Sequence, residues 1–179
     1  MPLMTMKRPL LDSAQVEKDW LVIYTIPKNE NKVYSELLKR GIDAYLPMRS
    51  VVRQWSDRKK KIQVPLLPNY VFLKPSRQKM WSVVGITGVV RYVSFEGKPA
   101  IVRQKEIDVI KKIQQSNYTV HDDEKCAIGD RMRITAGPLA GLEGVLYQKK
   151  GGDRFCIELE SISKSIAVEV PTHLLVKVR

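Results

Sequence analysis

Apolar and polar positions alternate with two different periods along this chain, and the change falls near its last third. Residues 20–26, WLVIYTI, form an apolar, β-branched run closed by Pro27 and predict a strand. Asn29 is placed to cap a helix over residues 30–40, and Gly41 to stop it. Val33, Tyr34, Leu37 and Leu38 recur at helical spacing and form its apolar stripe. Residues 44–46 follow, then MRSVVRQW and KKIQVPL on either side of Ser56-Asp57-Arg58, which predict a long hairpin with a basic tip. NYVFLK, between Pro68 and Pro75, predicts another strand. A short helix over 76–83, a strand near 89–94 and a helix over 103–115, with Ile107, Ile110 and Ile113 inward, complete this part. Strands interleaved with helices in this way predict an α+β domain with an antiparallel sheet.

From residue 127 onward the helical period is gone. RMRIT, GVLYQ, RFCIEL, SIAVEV and LLVKV are short strand-like runs separated by GPLAG, KKGGD, ESISK and PTH. Five strands with tight turns predict a small five-stranded β-barrel. The division is a flexible leader at 1–18, a first domain at 19–116, a polar, acidic linker at 117–126 and a second domain at 127–179.

Charge sharpens this division. The formal net charge is +12. Residues 1–116 hold 22 Lys and Arg against 10 Asp and Glu, whereas residues 117–179 hold 9 of each. The whole excess therefore belongs to the first domain, as for a protein in which one part meets a polyanion and the other does something else. A hydrophobic content of 44% with 28% charged residues fits a folded domain. No apolar run reaches the roughly 20 residues of a membrane span, and the N-terminus lacks a secretory apolar core. Cys126 and Cys156 are too few for a disulfide framework, so a cytoplasmic chain with reduced thiols is expected. His121 and His173 belong to no His/Cys/acid cluster of metal-ligand spacing, the Asp122-Asp123-Glu124 run beside His121 is more simply a solvated linker than a metal site, and no glycine loop cradles a phosphate ahead of a helix. No enzymatic activity, metal or cofactor is expected.

Several of these segments resemble the NusG family of transcription elongation factors. WLVIYTIPKNENKVYSELLKRGIDAYLP is similar to the start of the family's N-terminal (NGN) domain, and PLLPNYVFLK to its signature strand. WSVVGITGVVRYVSFEGKPAIV resembles the block that follows, and IGDRMRITAGPLAGLEGVL resembles a KOW motif. RQWSDRKKK in the hairpin is similar to specialised paralogues of the UpxY and RfaH kind, associated with polysaccharide gene clusters.

The resemblance implies a non-enzymatic factor that binds RNA polymerase and acts on processive elongation and antitermination. In the family, an apolar cavity of the NGN domain grips a coiled coil on the polymerase clamp. The matching positions are Tyr24, Leu67, Tyr70, Phe72 and Phe95, with Leu67 where the family usually has an aromatic. Alternation along NYVFLK places Tyr70 and Phe72 on one sheet face and Val71 and Leu73 on the other, and the aromatic face is expected to meet the partner. Trp20 and Trp81 are expected to pack internally. Non-template DNA or nascent RNA would meet Lys28, Lys32, Lys39 and Arg40 at the first helix, and Arg53, Trp55, Arg58, Lys59, Lys60 and Lys61 at the hairpin. For any one lysine a solvated face is the simpler reading; an aromatic inside the basic cluster favours contact. Gly137, Pro138, Gly141 and Gly144 are expected to shape the KOW turn, where glycine permits positive φ. Leu139 and Leu142 stand where family members present phenylalanines to Rho or a ribosomal protein. An RNA-binding or ribosome-associated KOW protein, or an adaptor whose charge only aids solubility, are the alternatives.

Overall fold

The computed structural model describes residues 19–55, 57–121, 129–149 and 152–178. The expected leader, the acidic part of the linker at 122–126 and Ser56 at the hairpin tip lie outside the described residues. The chain forms two compact units. One takes the chain up to Leu46 together with Asn69–Val102, and the other takes Pro47–Pro68 together with the chain from Arg103. The hairpin and the third helix thus group with the C-terminal strands, where the sequence suggested a division near residue 116.

The first unit is built on an antiparallel sheet in the order β2 (Asp43–Tyr45), β5 (Tyr70–Lys74), β1 (Trp20–Thr25), β6 (Val89–Tyr92), with β9 (Ile101–Val102) also paired to β1. The predicted strand WLVIYTI is β1, and its central place explains why it is apolar on both faces: Leu21, Val22 and Ile23 are all fully buried. Helix α1 (Glu30–Lys39) follows as predicted, burying Val33 and Leu37. Its end is a Schellman motif: Gly41, at φ 62°, donates to Leu38 O, and Ile42 donates to Leu37 O. Its start differs from expectation. The Asn29 side chain donates to Pro27 O instead of capping the helix, while the buried Glu30 carboxylate accepts from Asn69 N at 3.0 Å. Helix α2 (Met80–Val84) is braced on the same sheet by the Tyr92 hydroxyl, which donates to Met80 O at 3.0 Å; burial pushes that phenol's pKa well up.

In the second unit, β3 (Met48–Gln54) and β4 (Lys59–Pro65) form the predicted hairpin, closed by Trp55 N donating to Arg58 O. Helix α3 (Gln104–Gln115) buries Ile107, Ile110 and Ile113. A six-stranded antiparallel sheet contains the five predicted strands, β11 (Asp130–Ile134), β12 (Glu143–Lys149), β13 (Gly152–Leu159), β14 (Lys164–Val168) and β15 (Leu175–Lys177). The sixth strand, β10 (Val120–His121), comes from the stretch expected to be linker and pairs with β14. Thr119 O accepts from Glu169 N, so this part of the chain is held rather than free. Its Thr-Val pair supplies the strand propensity that the acidic run after it obscures.

A buried carboxylate joins α3 to the C-terminal strands. Glu106, 6% exposed, accepts from Arg103 N at the helix start, from Ser161 N at 3.0 Å and from the Ser161 hydroxyl. Removing it in Glu106→Ala leaves the Arg103 and Ser161 backbone donors without their carboxylate acceptor. We expect a loss of about 2–3 kcal/mol in urea denaturation, with Glu106→Gln recovering part of it. A change below about 0.5 kcal/mol would show that water replaces the carboxylate without cost.

Cys156 is fully buried on β13 and disulfide-bonded, which corrects the expectation of reduced thiols. Two cysteines make no framework but are enough for one bond, and a count cannot show whether their geometry permits it. Cys126, the chain's other cysteine, lies outside the described residues.

Candidate functional site

The side-chain alternation of β1 and β5 produces an aromatic sheet face. Tyr24 is registered with Tyr70, and Val22 with Phe72, while Phe72 is also registered with Tyr45 on β2. Side chains at paired positions share a face, so Trp20, Tyr24, Tyr45, Tyr70 and Phe72 lie on one side. Leu21, Ile23, Val71 and Leu73 lie on the other, the side of Tyr92 and α2. Tyr24 and Tyr70 meet edge to face with ring centroids 5.5 Å apart. Trp20 and Tyr45 do so at 6.3 Å, and Tyr45 and Phe72 are 6.2 Å apart. Lys74 places its ammonium 4.8 Å from the Trp20 ring centroid. Burial raises the Tyr45 pKa to about 12, so the hydroxyl remains neutral at any ordinary pH.

The expected partner residues separate by accessibility. Tyr24 and Tyr70 are half-buried, and Phe95, in the small β7 (Ser94–Phe95) and β8 (Lys98–Pro99) hairpin, is exposed. Phe72 is fully buried and Leu67 nearly so. A side chain with almost no accessible surface offers nothing to a partner, so Phe72 backs the aromatic face instead of forming it, and Leu67 is a core residue of the second unit. Trp20 packs as expected, with Tyr45. Trp81, expected to pack, is 56% exposed on α2. Its place in a five-residue helix gives it no inward position, and a single Trp in a short segment carries no period to show this.

The basic residues also differ in what they are free to do. Lys28, Lys32 and Lys39 are exposed. Arg40 is held in place: its Nε donates to Glu36 at 2.9 Å and a terminal nitrogen donates to Ser82 O at 3.1 Å, so it braces α1 against α2. Lys79, which the sequence does not distinguish from other lysines, completes that brace by donating to Arg40 O and Gly41 O. At the hairpin, Arg53, Trp55, Arg58, Lys59, Lys60 and Lys61 are all exposed. Arg53 is registered directly with Lys60, and like charges in that position destabilise a hairpin. Only Asp57, 3.8 Å from Arg58, offsets the charge locally among the described residues. Lys60 lies 5.8 Å from the centroid of the exposed Trp55 ring. Cations that oppose the fold they decorate, gathered beside an accessible indole, suit backbone contact and base stacking on an unpaired nucleic-acid strand.

In the C-terminal strands, Leu139 is fully buried and Leu142 half-buried. That burial makes Leu139 a core residue and removes it from the expected partner-facing pair. Gly137 and Gly141 have φ of 85° and 83°, as expected of turn glycines. Gly144 is needed for another reason: a Cβ there would lie 2.2 Å from Cys156 O and 2.9 Å from the Phe155 ring.

A family model described as transcription termination factor NusG matches residues 18–111. The transcription termination/antitermination protein NusG of Pasteurella multocida (strain Pm70) is 25% identical over 153 residues, covering 77% of this chain and 82% of the relative. Its namesake in Halalkalibacterium halodurans is 23% identical over 147 residues, covering 74% and 83%. Among solved structures, that of domain interaction in Thermotoga maritima NusG is similar in fold. Its TM-score is 0.58 at 19% identity, over 90% of this chain and 97% of that one. With more than half of its length inside the family model, the chain belongs to the NusG family of transcription termination factors.

Proposed function

We propose that this protein binds RNA polymerase through Tyr24 and Tyr70 and promotes processive elongation and antitermination at specific operons, polysaccharide clusters being the expected kind. The observation that carries this reading is the edge-to-face Tyr24–Tyr70 pair, half-exposed on an aromatic sheet face and backed by the buried Phe72. A rigid aromatic pair over a packed floor is the kind of anchor that a helical hairpin, such as the clamp coiled coil, docks against. The exposed Phe95 extends the apolar contact. The basic hairpin with Trp55, together with Lys28, Lys32 and Lys39, follows non-template DNA or nascent RNA. Such a factor works in the cytoplasm beside the polymerase. Specialisation is supported by RQWSDRKKK in the hairpin and by the KOW loop, where burial of Leu139 leaves Leu142 as the residue able to meet Rho or a ribosomal protein.

Co-purification tests the reading. Tagged protein mixed with purified bacterial RNA polymerase core is expected to retain the polymerase through a wash at moderate salt. Failure to retain it, with retention of ribosomal RNA instead, would replace this proposal with an RNA-associated KOW function.

A further inference from the structure

In the second unit, a groove of about 740 Å³ runs between the β3–β4 hairpin and the stretch from Ile113 to Val120 that leaves α3. This volume is in the range that takes a nucleotide-sized ligand. Not one of its lining residues is an Asp or Glu. Arg49 and Lys61 bring positive charge, and Ser50, Gln63 and Asn117 bring amide and hydroxyl groups that both donate and accept. Tyr118 supplies a ring.

The walls are built by specific contacts. The Arg49 guanidinium donates to Val120 O, tying the hairpin to the segment that forms the opposite wall. Gln63 Nε2 donates to Ser50 Oγ at 2.7 Å across the hairpin. The Ser116 hydroxyl donates to Ile113 O and turns the chain out of α3 into the wall. The Tyr118 hydroxyl reaches the turn at Gly137, 3.0 Å from where a Cβ there would be. Lys61 is the last lysine of the basic run and faces the groove, so the groove begins where the cationic tip ends.

We infer that this groove is a binding site for single-stranded nucleic acid, in which Gln63 and Asn117 read base edges and Tyr118 offers a stacking surface, fed by the Lys59–Lys61 tip. The proposal rests on the reading of the hairpin as a nucleic-acid interface. An acidic polypeptide would also be drawn to the charge. It would leave the amides, which can match both donors and acceptors of a base edge, without a role, so nucleic acid is favoured.

The test uses the full chain and a labelled oligonucleotide of about 12 residues, as single-stranded DNA, as single-stranded RNA and as duplex DNA, each single strand also in a form carrying 5-iodouracil. Wild-type protein is expected to bind at least one single strand more tightly than duplex and to cross-link at Tyr118; the tighter strand names the source. The exposed pair Gln63→Ala with Asn117→Ala is expected to weaken binding about tenfold without altering its salt dependence, since no charge is removed. The triple variant Lys59→Ala, Lys60→Ala, Lys61→Ala is expected to flatten the dependence on log salt by roughly 2, at about 0.7 per phosphate contact on a single strand. Binding that responds only to the lysine variant, with cross-links elsewhere, would overturn the groove and leave the hairpin reading intact. Displacement of the strand by polyglutamate at matched charge would also overturn it in favour of an acidic polypeptide. No binding of either single strand would defeat both readings.

Discussion

Gly144→Ala is expected to lower the melting temperature of the protein by about 6–12 °C. The added carbon would lie 2.2 Å from Cys156 O, a backbone atom at the end of the β12–β13 ladder on a strand that is also paired to β14. Backbone within a paired strand cannot rotate away, so the strands must separate locally. Overpacking of this kind costs about 3 kcal/mol, at the upper end of its usual range, and a chain of this size loses about 2–4 °C per kcal/mol. Gly141→Ala is the control. Its φ of 83° strains any other residue, yet nothing lies within 4 Å of its Cβ position. It should cost only the left-handed penalty, about 1–2 kcal/mol. Thermal unfolding followed by circular dichroism distinguishes the two, and a larger shift for Gly141→Ala would mean that the β12–β13 approach is not the constraint.

The second large effect concerns partner binding. Tyr24→Ala is expected to weaken polymerase binding by about 30-fold or more, the loss of about 2 kcal/mol that an aromatic anchor carries. Its ring is one half of the edge-to-face pair with Tyr70, so the substitution removes a contact and also frees its neighbour. Tyr24→Phe keeps the ring and the pair and should bind within a few-fold of wild type. Phe72→Ala should act differently. Phe72 is fully buried, so its truncation should appear first as lost stability, about 3–5 kcal/mol. Equilibrium titration against labelled polymerase, with melting curves of each variant, separates these cases. Equal binding by Tyr24→Ala and wild type would remove the aromatic pair from the interface.

The order of strands and helices was legible because each carries a strong local signal. WLVIYTI, NYVFLK and the helix stopped by Gly41 appear where their patterns place them. Alternation also separated the aromatic face of β5 from its aliphatic face. What alternation cannot give is depth. It assigned Phe72 and Tyr70 the same side, but their different burial depends on neighbours from β1 and β2. Leu139 lies within a turn motif whose glycines announce a bend without saying which side chain fills it. Arg40 and the other basic residues of α1 look alike in sequence; only the packing of α1 against α2 makes Arg40 a brace. Glu106 at the first turn of α3 suggests a helix start, whereas its bonds to Ser161 span 55 positions and leave no local trace. The groove beside the hairpin was invisible for the same reason, since its walls come from residues 48–66 and 113–120, far apart in sequence.

The most direct test of the account is transcription by purified bacterial polymerase on a template with a strong pause and a terminator. Wild-type protein and Tyr24→Ala would be compared with polymerase alone. Altered pausing and increased readthrough are expected with wild-type protein, both lost with the folded Tyr24→Ala variant. An unchanged transcript pattern with wild-type protein, on templates that include the operon of its own recruitment signal, would contradict it.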